Sequence, residues 1–92
     1  MPDDRDIERA IVGLLSKRAP EASICPSEAA RALGGDWRAS MPRVRDVAAS
    51  LARARRIRVT QGAREIAPDD VAHAEGPIRL RRGAGYDARL AD

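Results

Sequence analysis

The sequence predicts an α+β fold of the winged helix-turn-helix type, with a three-helix core and a small β wing of two or three strands. Two helical stretches separated by the break Gly34-Gly35 are the first observation behind this prediction. The second is an alternating apolar and polar run at 57–61, which follows the second of those helices directly. The third is a concentration of arginine on that helix and run, which is typical of a surface offered to nucleic acid.

The chain has 92 residues, which is enough for one small domain. We expect this domain to span residues 1–82 and residues 83–92 to form a flexible C-terminal tail, because the chain from Gly83 onward lacks a periodic pattern. Aromatic residues are nearly absent, with one Trp, one Tyr and no Phe. The core is therefore expected to consist of Leu, Ile, Val and Ala side chains.

Helix 1 is predicted from about Asp4 to Lys17, since apolar residues recur there with helical spacing and acidic residues crowd its start. The pair Ala19-Pro20 ends it. A short extended piece at 23–25 is the expected first strand. The apolar stripe of helix 1 consists of Ile7, Ile11, Leu14 and Leu15.

Helix 2 is predicted to start at Pro26, with Cys25 and Glu28 in a capping arrangement, and to end at Gly34-Gly35. Helix 3 is predicted to begin near Ser40 or Met41 with Ser40 as its N-cap, after a turn capped by Asp36 that holds Trp37, and to end near Arg55. This start keeps Pro42 in the first turn. Its predicted core face consists of Val44, Val47, Ala48 and Leu51, and its outer face holds Pro42, Asp46, Ala49 and Arg53.

The run at 57–61 is predicted to form a strand, with a turn at Gln61-Gly62 and a partner strand at 64–66. Residues 67–75 then form an acidic connector. The run at 76–82 alternates again, and the pattern allows either a third strand or an extended arm.

Several short motifs are specific in combination: Cys25-Pro26-Ser27-Glu28-Ala29-Ala30-Arg31, Trp37-Arg38, Met41-Pro42, Val44-Arg45, the 57–61 strand and Gly76-Pro77-Ile78-Arg79-Leu80. Together they resemble the small bacterial family catalogued as domain of unknown function 3253, over residues 7–82. The resemblance implies a winged-helix-like fold. It implies no particular activity.

The charge distribution favours a nucleic acid as partner. The net charge is +3, and residues 36–58 alone carry seven arginines against two aspartates. We expect binding of double-stranded DNA, with helix 3 in the major groove, the β wing beside it and electrostatic affinity from the last strand. The candidate DNA-binding residues are Arg43, Arg45, Ala49, Ser50, Arg53, Arg56, Arg58, Arg64, Arg79, Arg81 and Arg82.

Two other functions remain open at this point. A protein-interaction module without catalytic activity, with an acidic protein as partner, would be favoured by an exposed apolar patch at Met41, Pro42 and Ala49. A small enzyme or ligand-binding domain would need an enclosed pocket lined by Arg31, Arg38 and Arg45. The sequence allows either a monomer or a weak homodimer.

Catalysis and metal binding have little support in the sequence. Cys25 is expected to be a buried, inert thiol, although its position before a helix also allows a reactive one. His73 is the only histidine and is expected in an exposed loop, so that no metal or other cofactor is predicted. Trp37 is expected to anchor the core. No apolar run is long enough to span a membrane, and a cytoplasmic location is the default expectation.

Overall fold

The structure is a computed structural model that describes residues 3–91. Three α-helices and four strands follow in the predicted order, and together they form an α+β fold with a winged-helix-like arrangement. Two short 3₁₀ helices, Pro68–Asp70 and Ala88–Ala91, complete the described chain. The elements are α1 (Asp4–Ser16), β1 (Ser23–Ile24), α2 (Pro26–Leu33), α3 (Trp37–Arg53), β2 (Ile57–Gln61), β3 (Arg64–Ile66) and β4 (Arg79–Arg82).

The four strands form one antiparallel sheet in the order β1-β4-β2-β3. The second half of the run at 76–82 therefore forms a strand, β4, which lies between β1 and β2 and pairs with both. One face of the sheet packs against the helices. Successive side chains of a strand point to opposite faces, so that the apolar residues lie on the face toward the helices and the polar residues between them lie on the outer face. The inner face contributes Ile24, Ile57, Val59, Ile66 and Leu80 to the core.

The start of α2 is confirmed as predicted. The backbone N–H of Cys25 donates to Glu28 Oε2 at 2.7 Å, and Pro26 occupies the first helical position, where no backbone donor is needed. The same hydrogen bond holds the pKa of the Glu28 carboxyl below its usual range, and the nearby charges of Arg18 and Arg79 lower it further.

Helix α3 begins three to four residues earlier than the sequence predicts. Asp36 is its N-cap and accepts a hydrogen bond from the backbone of Ala39, so that the helix starts at Trp37. The prediction of Ser40 as N-cap is wrong, because the Ser40 hydroxyl donates back to the Asp36 carbonyl instead. Pro42 consequently lies inside the helix.

The segment after β4, for which the sequence predicts a flexible tail, packs against the domain over residues 83–91. The backbone N–H of Gly85 donates to the carbonyl of Arg55 at 2.8 Å, and the Tyr86 hydroxyl donates to the carbonyl of Val12 at 2.8 Å. The second 3₁₀ helix packs against α1. The segment covers apolar surface that a loose tail would leave in water. The outermost ends of the predicted domain and tail, at residues 1, 2 and 92, lie outside the described residues.

Candidate nucleic-acid interface

The predicted outer face of α3 is partly covered by the acidic connector at 67–75 and by the following Gly76. Arg45 donates to the carbonyls of Ala74 and Gly76, at 2.7 and 3.0 Å, and the first 3₁₀ helix packs against α3. Ala49, one helical turn after Arg45, is only 4% exposed. The prediction that Ala49 lies on an exposed face is therefore wrong, because residues that follow the hairpin in sequence fold back over it. An apolar patch that includes Ala49 cannot form on this surface.

The side of α3 that does face solvent carries compensated charge. Arg43 forms an ion pair with Asp4 of α1 at 3.0 Å, and Arg53 forms one with Asp69 at 3.0 Å. Asp46 adds a negative charge between them, and Ser50 is exposed beside it. The middle of α3 therefore presents little net positive charge to a partner.

The outer face of the sheet has the opposite character. Arg58 on β2 lies directly across from Arg81 on β4, and Arg79 precedes Arg81 by two residues on β4. All three side chains therefore share this face. We call these three residues the arginine face. Neighbours on it lie about 5 Å apart across the strands and about 7 Å apart along β4, measured between Cα atoms.

Mainly neutral acceptors fix the guanidiniums of the arginine face. Arg79 donates to the hydroxyl and carbonyl of Ser23, at 2.9 and 3.1 Å. Arg81 donates to the Thr60 hydroxyl at 3.2 Å and to the Glu21 carbonyl at 3.1 Å, and Thr60 is only 8% exposed. These hydrogen bonds hold the side chains in place without neutralising their charge.

Arg58 stands at the edge of this surface and is partly compensated. Its Nε donates to the carbonyl of Arg82 at 3.2 Å, and its Nη1 lies 3.7 Å from Glu65. Arg64 is exposed at the start of β3, beside the hairpin turn. Because Arg64 pairs with Gln61 and Glu65 pairs with Thr60, the wing residue on the arginine face is Glu65, and Arg64 lies on the other face of the sheet.

Two other predicted contact residues hold the fold together in this structure. Arg56 is half-buried and donates to the carbonyl of Gly85 at 2.9 Å. Arg82 donates to the carbonyls of Leu15 and Arg18 at the end of α1, at 2.9 and 3.1 Å, and its guanidinium carbon lies 4.6 Å from the centre of the Tyr86 ring. Both guanidiniums face backbone carbonyls of their own chain.

The corner between α2 and α3 holds two arginines that the sequence analysis did not assign to DNA. The guanidinium carbons of Arg31 and Arg38 both lie 4.5 Å from the centre of the Trp37 ring. Trp37 packs at the margin of the core and is half-buried, so that its predicted role as the main core anchor is wrong. A Trp followed directly by an Arg at a helix start was the available sign of this cluster.

Two of the three arginines expected to line a small-molecule pocket, Arg31 and Arg38, are exposed. Arg45 is held by the connector, as described above. A groove of about 620 Å³ lies instead between the end of α3 and the hairpin, and none of those three arginines lines it. The described residues contain no group of three or more His, Cys, Asp or Glu side chains placed to hold a metal ion. Among residues 3–91, no helix is both long enough and apolar enough to cross a membrane.

Comparison with known proteins gives one result. A family model described as "Protein of unknown function (DUF3253)" matches residues 4–83 and so covers most of the chain. This match confirms the resemblance inferred from the motifs at 25–31, 37–45 and 76–80. No curated protein matches the chain.

Proposed function

Because the chain belongs to the DUF3253 family, whose description assigns no function, we propose from the geometry of its surface that it binds double-stranded DNA. The observation that carries this proposal is the arginine face: Arg58, Arg79 and Arg81 held side by side on an open sheet. The proposed function is one of binding, without catalysis.

Phosphate groups are the ligands that best fit this surface. Arginine binds phosphate oxygens bidentately, and its charge persists at any physiological pH. The side chains are already ordered by neutral acceptors, so that binding would lose little additional rotamer entropy. Among the described residues, Arg58 has an ion-pair partner in Glu65, whereas Arg79 and Arg81 have none. Fixed guanidiniums whose charge is not compensated favour a polyanion as partner.

A duplex fits better than a single strand. Proteins that bind single strands stack bases on aromatic side chains, and the arginine face and its neighbours Ser23, Thr60 and Glu65 include no aromatic residue. Contacts to the phosphate backbone alone suffice for a duplex. In the proposed complex, the arginine face binds the phosphate backbone, and the first half of α3 approaches the major groove.

The test is a fluorescence-anisotropy titration of a labelled random-sequence duplex at several salt concentrations. We expect micromolar affinity at low salt, and each phosphate contact adds about −0.9 to the slope of log K against log salt. The variant Arg79→Gln/Arg81→Gln is expected to reduce the magnitude of that slope by about 2.

The matched control is Arg5→Gln/Arg9→Gln, which removes the same charge from the exposed side of α1. Equal effects of the two double variants would overturn the assignment of binding to the arginine face. Absence of wild-type binding even at low salt would overturn the function itself and favour an acidic protein partner.

A further inference from the structure

The cluster of Arg31, Trp37 and Arg38 concentrates positive charge at one point of the surface. Because both guanidinium carbons lie 4.5 Å from the same ring centre, the two are at most twice that distance apart. A single phosphate has oxygens enough to accept hydrogen bonds from two guanidiniums at once. Stacking on the indole ring orders both side chains before any ligand arrives.

This charge is uncompensated within the described residues. No carboxylate in residues 3–91 lies within 4 Å of the guanidinium nitrogens of Arg31 or Arg38. The nearest carboxylate in sequence, Asp36, accepts from the backbone N–H of Ala39 as the N-cap of α3. Both arginines are exposed, unlike Arg45, Arg56 and Arg82.

The backbone beside the cluster is open to a partner. Gly34 and Gly35 have positive φ angles of 79° and 65°, and a Cβ atom built at either position would meet no atom within 4 Å. These glycines are therefore needed for the turn and not for internal packing. A bulky polyanion can reach the corner without displacing any side chain of the turn.

The corner is also continuous with the arginine face through α2. Arg79 donates to the hydroxyl and carbonyl of Ser23, which lies just before α2, and Glu28 in the first turn of α2 lies one helical turn from Arg31. Arg18 pairs with Glu28 at 2.9 Å and offsets its negative charge. One duplex can therefore follow the surface from the sheet to the corner.

We infer that Arg31 and Arg38, oriented by Trp37, form a clamp for a single phosphate of the DNA backbone at the helix-turn-helix corner. The inference rests on the proposed function and adds a binding site at the point where α2 meets α3. In helix-turn-helix proteins, the helix that precedes the recognition helix crosses the DNA backbone, which places this corner against phosphates. Trp37 acts here as a positioning residue.

Trp37 is the only tryptophan of the chain, so that fluorescence excited at wavelengths that Tyr86 does not absorb reports on the clamp alone. We expect its emission to change as duplex is added, with the same midpoint as the anisotropy titration. The variant Arg31→Gln/Arg38→Gln is expected to weaken duplex binding roughly tenfold at low salt. It should lower the magnitude of the salt slope by about 1, because the two arginines share one phosphate.

A second variant separates positioning from folding. Trp37→Phe keeps an aromatic platform, and its affinity is expected to stay within about threefold of wild type, whereas Trp37→Ala should weaken binding as much as the double arginine variant. Thermal unfolding of each variant identifies those that fold. If Trp37→Ala does not fold, the double arginine variant and the wild-type emission decide the question.

The outcomes distinguish this inference from the function on which it rests. Wild-type binding with unchanged Trp37 emission, and a double arginine variant that behaves like Arg5→Gln/Arg9→Gln, would overturn the clamp and leave DNA binding intact. If Arg31→Gln/Arg38→Gln lowered the magnitude of the salt slope by about 2, the two arginines would contact separate phosphates, and the sharing of one phosphate would be overturned. Absence of duplex binding in the wild type would overturn both.

Discussion

The guanidinium of Arg53 on α3 donates from Nε and Nη2 to one carboxylate oxygen of Asp69, at 3.2 and 3.0 Å. Both side chains are more than half exposed, so that the pair stabilises the fold by no more than about 1 kcal/mol. Its larger effect is electrostatic, because the acidic connector neutralises an arginine that would otherwise face a partner.

Removing this carboxylate should therefore strengthen DNA binding. Asp69→Asn is expected to raise duplex affinity a few-fold and to change the free energy of unfolding by less than about 0.5 kcal/mol. Asp70→Asn removes the same charge from the next exposed residue and serves as the control. Anisotropy titrations that give the two variants equal affinity would show that Arg53 makes no contact of its own.

Arg45 is expected to act on stability. Its truncation to Ala leaves the carbonyls of Ala74 and Gly76 without their donor, which should lower the free energy of unfolding by about 2 kcal/mol. Arg64→Ala removes an exposed arginine and should cost less than about 0.5 kcal/mol. Urea unfolding measures both, and equal losses would contradict the anchoring role of Arg45.

The C-terminal end of α3 holds a residue in a strained conformation. Arg55 has a φ of 61°, and the N–H groups of Arg55 and Arg56 donate back to the carbonyls of Ala52 and Leu51. Glycine is the preferred residue at such a position, so that Arg55→Gly should raise the free energy of unfolding by about 1 kcal/mol. Arg55→Ala loses the same side chain but keeps the strain. If Arg55→Ala raised the free energy of unfolding as much as Arg55→Gly, this explanation would be refuted.

Glu28 should contribute to acid sensitivity. Its pKa is lowered in the folded protein, first by the Cys25 N–H, so that its stabilising contribution is complete above the unfolded pKa and is lost as the pH falls through the folded one. Gln at this position can still accept from Cys25 but does not titrate. Glu28→Gln should therefore reduce the loss of stability below about pH 4.3, measured by thermal unfolding across pH. An unchanged pH profile would contradict the assignment.

The helices and strands could be predicted because local patterns determine them. Alternation at 57–61, the Pro26 start and the Gly34-Gly35 break all act within a few residues. The start of α3 was missed because Asp36 and Ser40 are both good N-caps, and the choice between them depends on where Trp37 packs.

The surface was harder to predict, because the roles of the arginines depend on contacts across long stretches of sequence. Arg45 and Ala49 have the spacing of an exposed helix side, yet residues about thirty positions later cover them. Arg82 and Arg81 are adjacent in sequence, but the pleat of β4 directs one to the end of α1 and the other to the outer face. No pattern within α3 or β4 alone contains this information.

The central claim, that the outer sheet face and the α2–α3 corner contact a DNA duplex, is tested most directly by a heteronuclear NMR titration of the labelled protein with duplex DNA. We expect the largest shift changes at Arg58, Arg79 and Arg81 and at Arg31 and Arg38, including their Nε–H resonances. The resonances of Arg45 and Ala49 should change little. Changes confined to α1 or to the connector, or none with duplex in excess at low salt, would contradict the account.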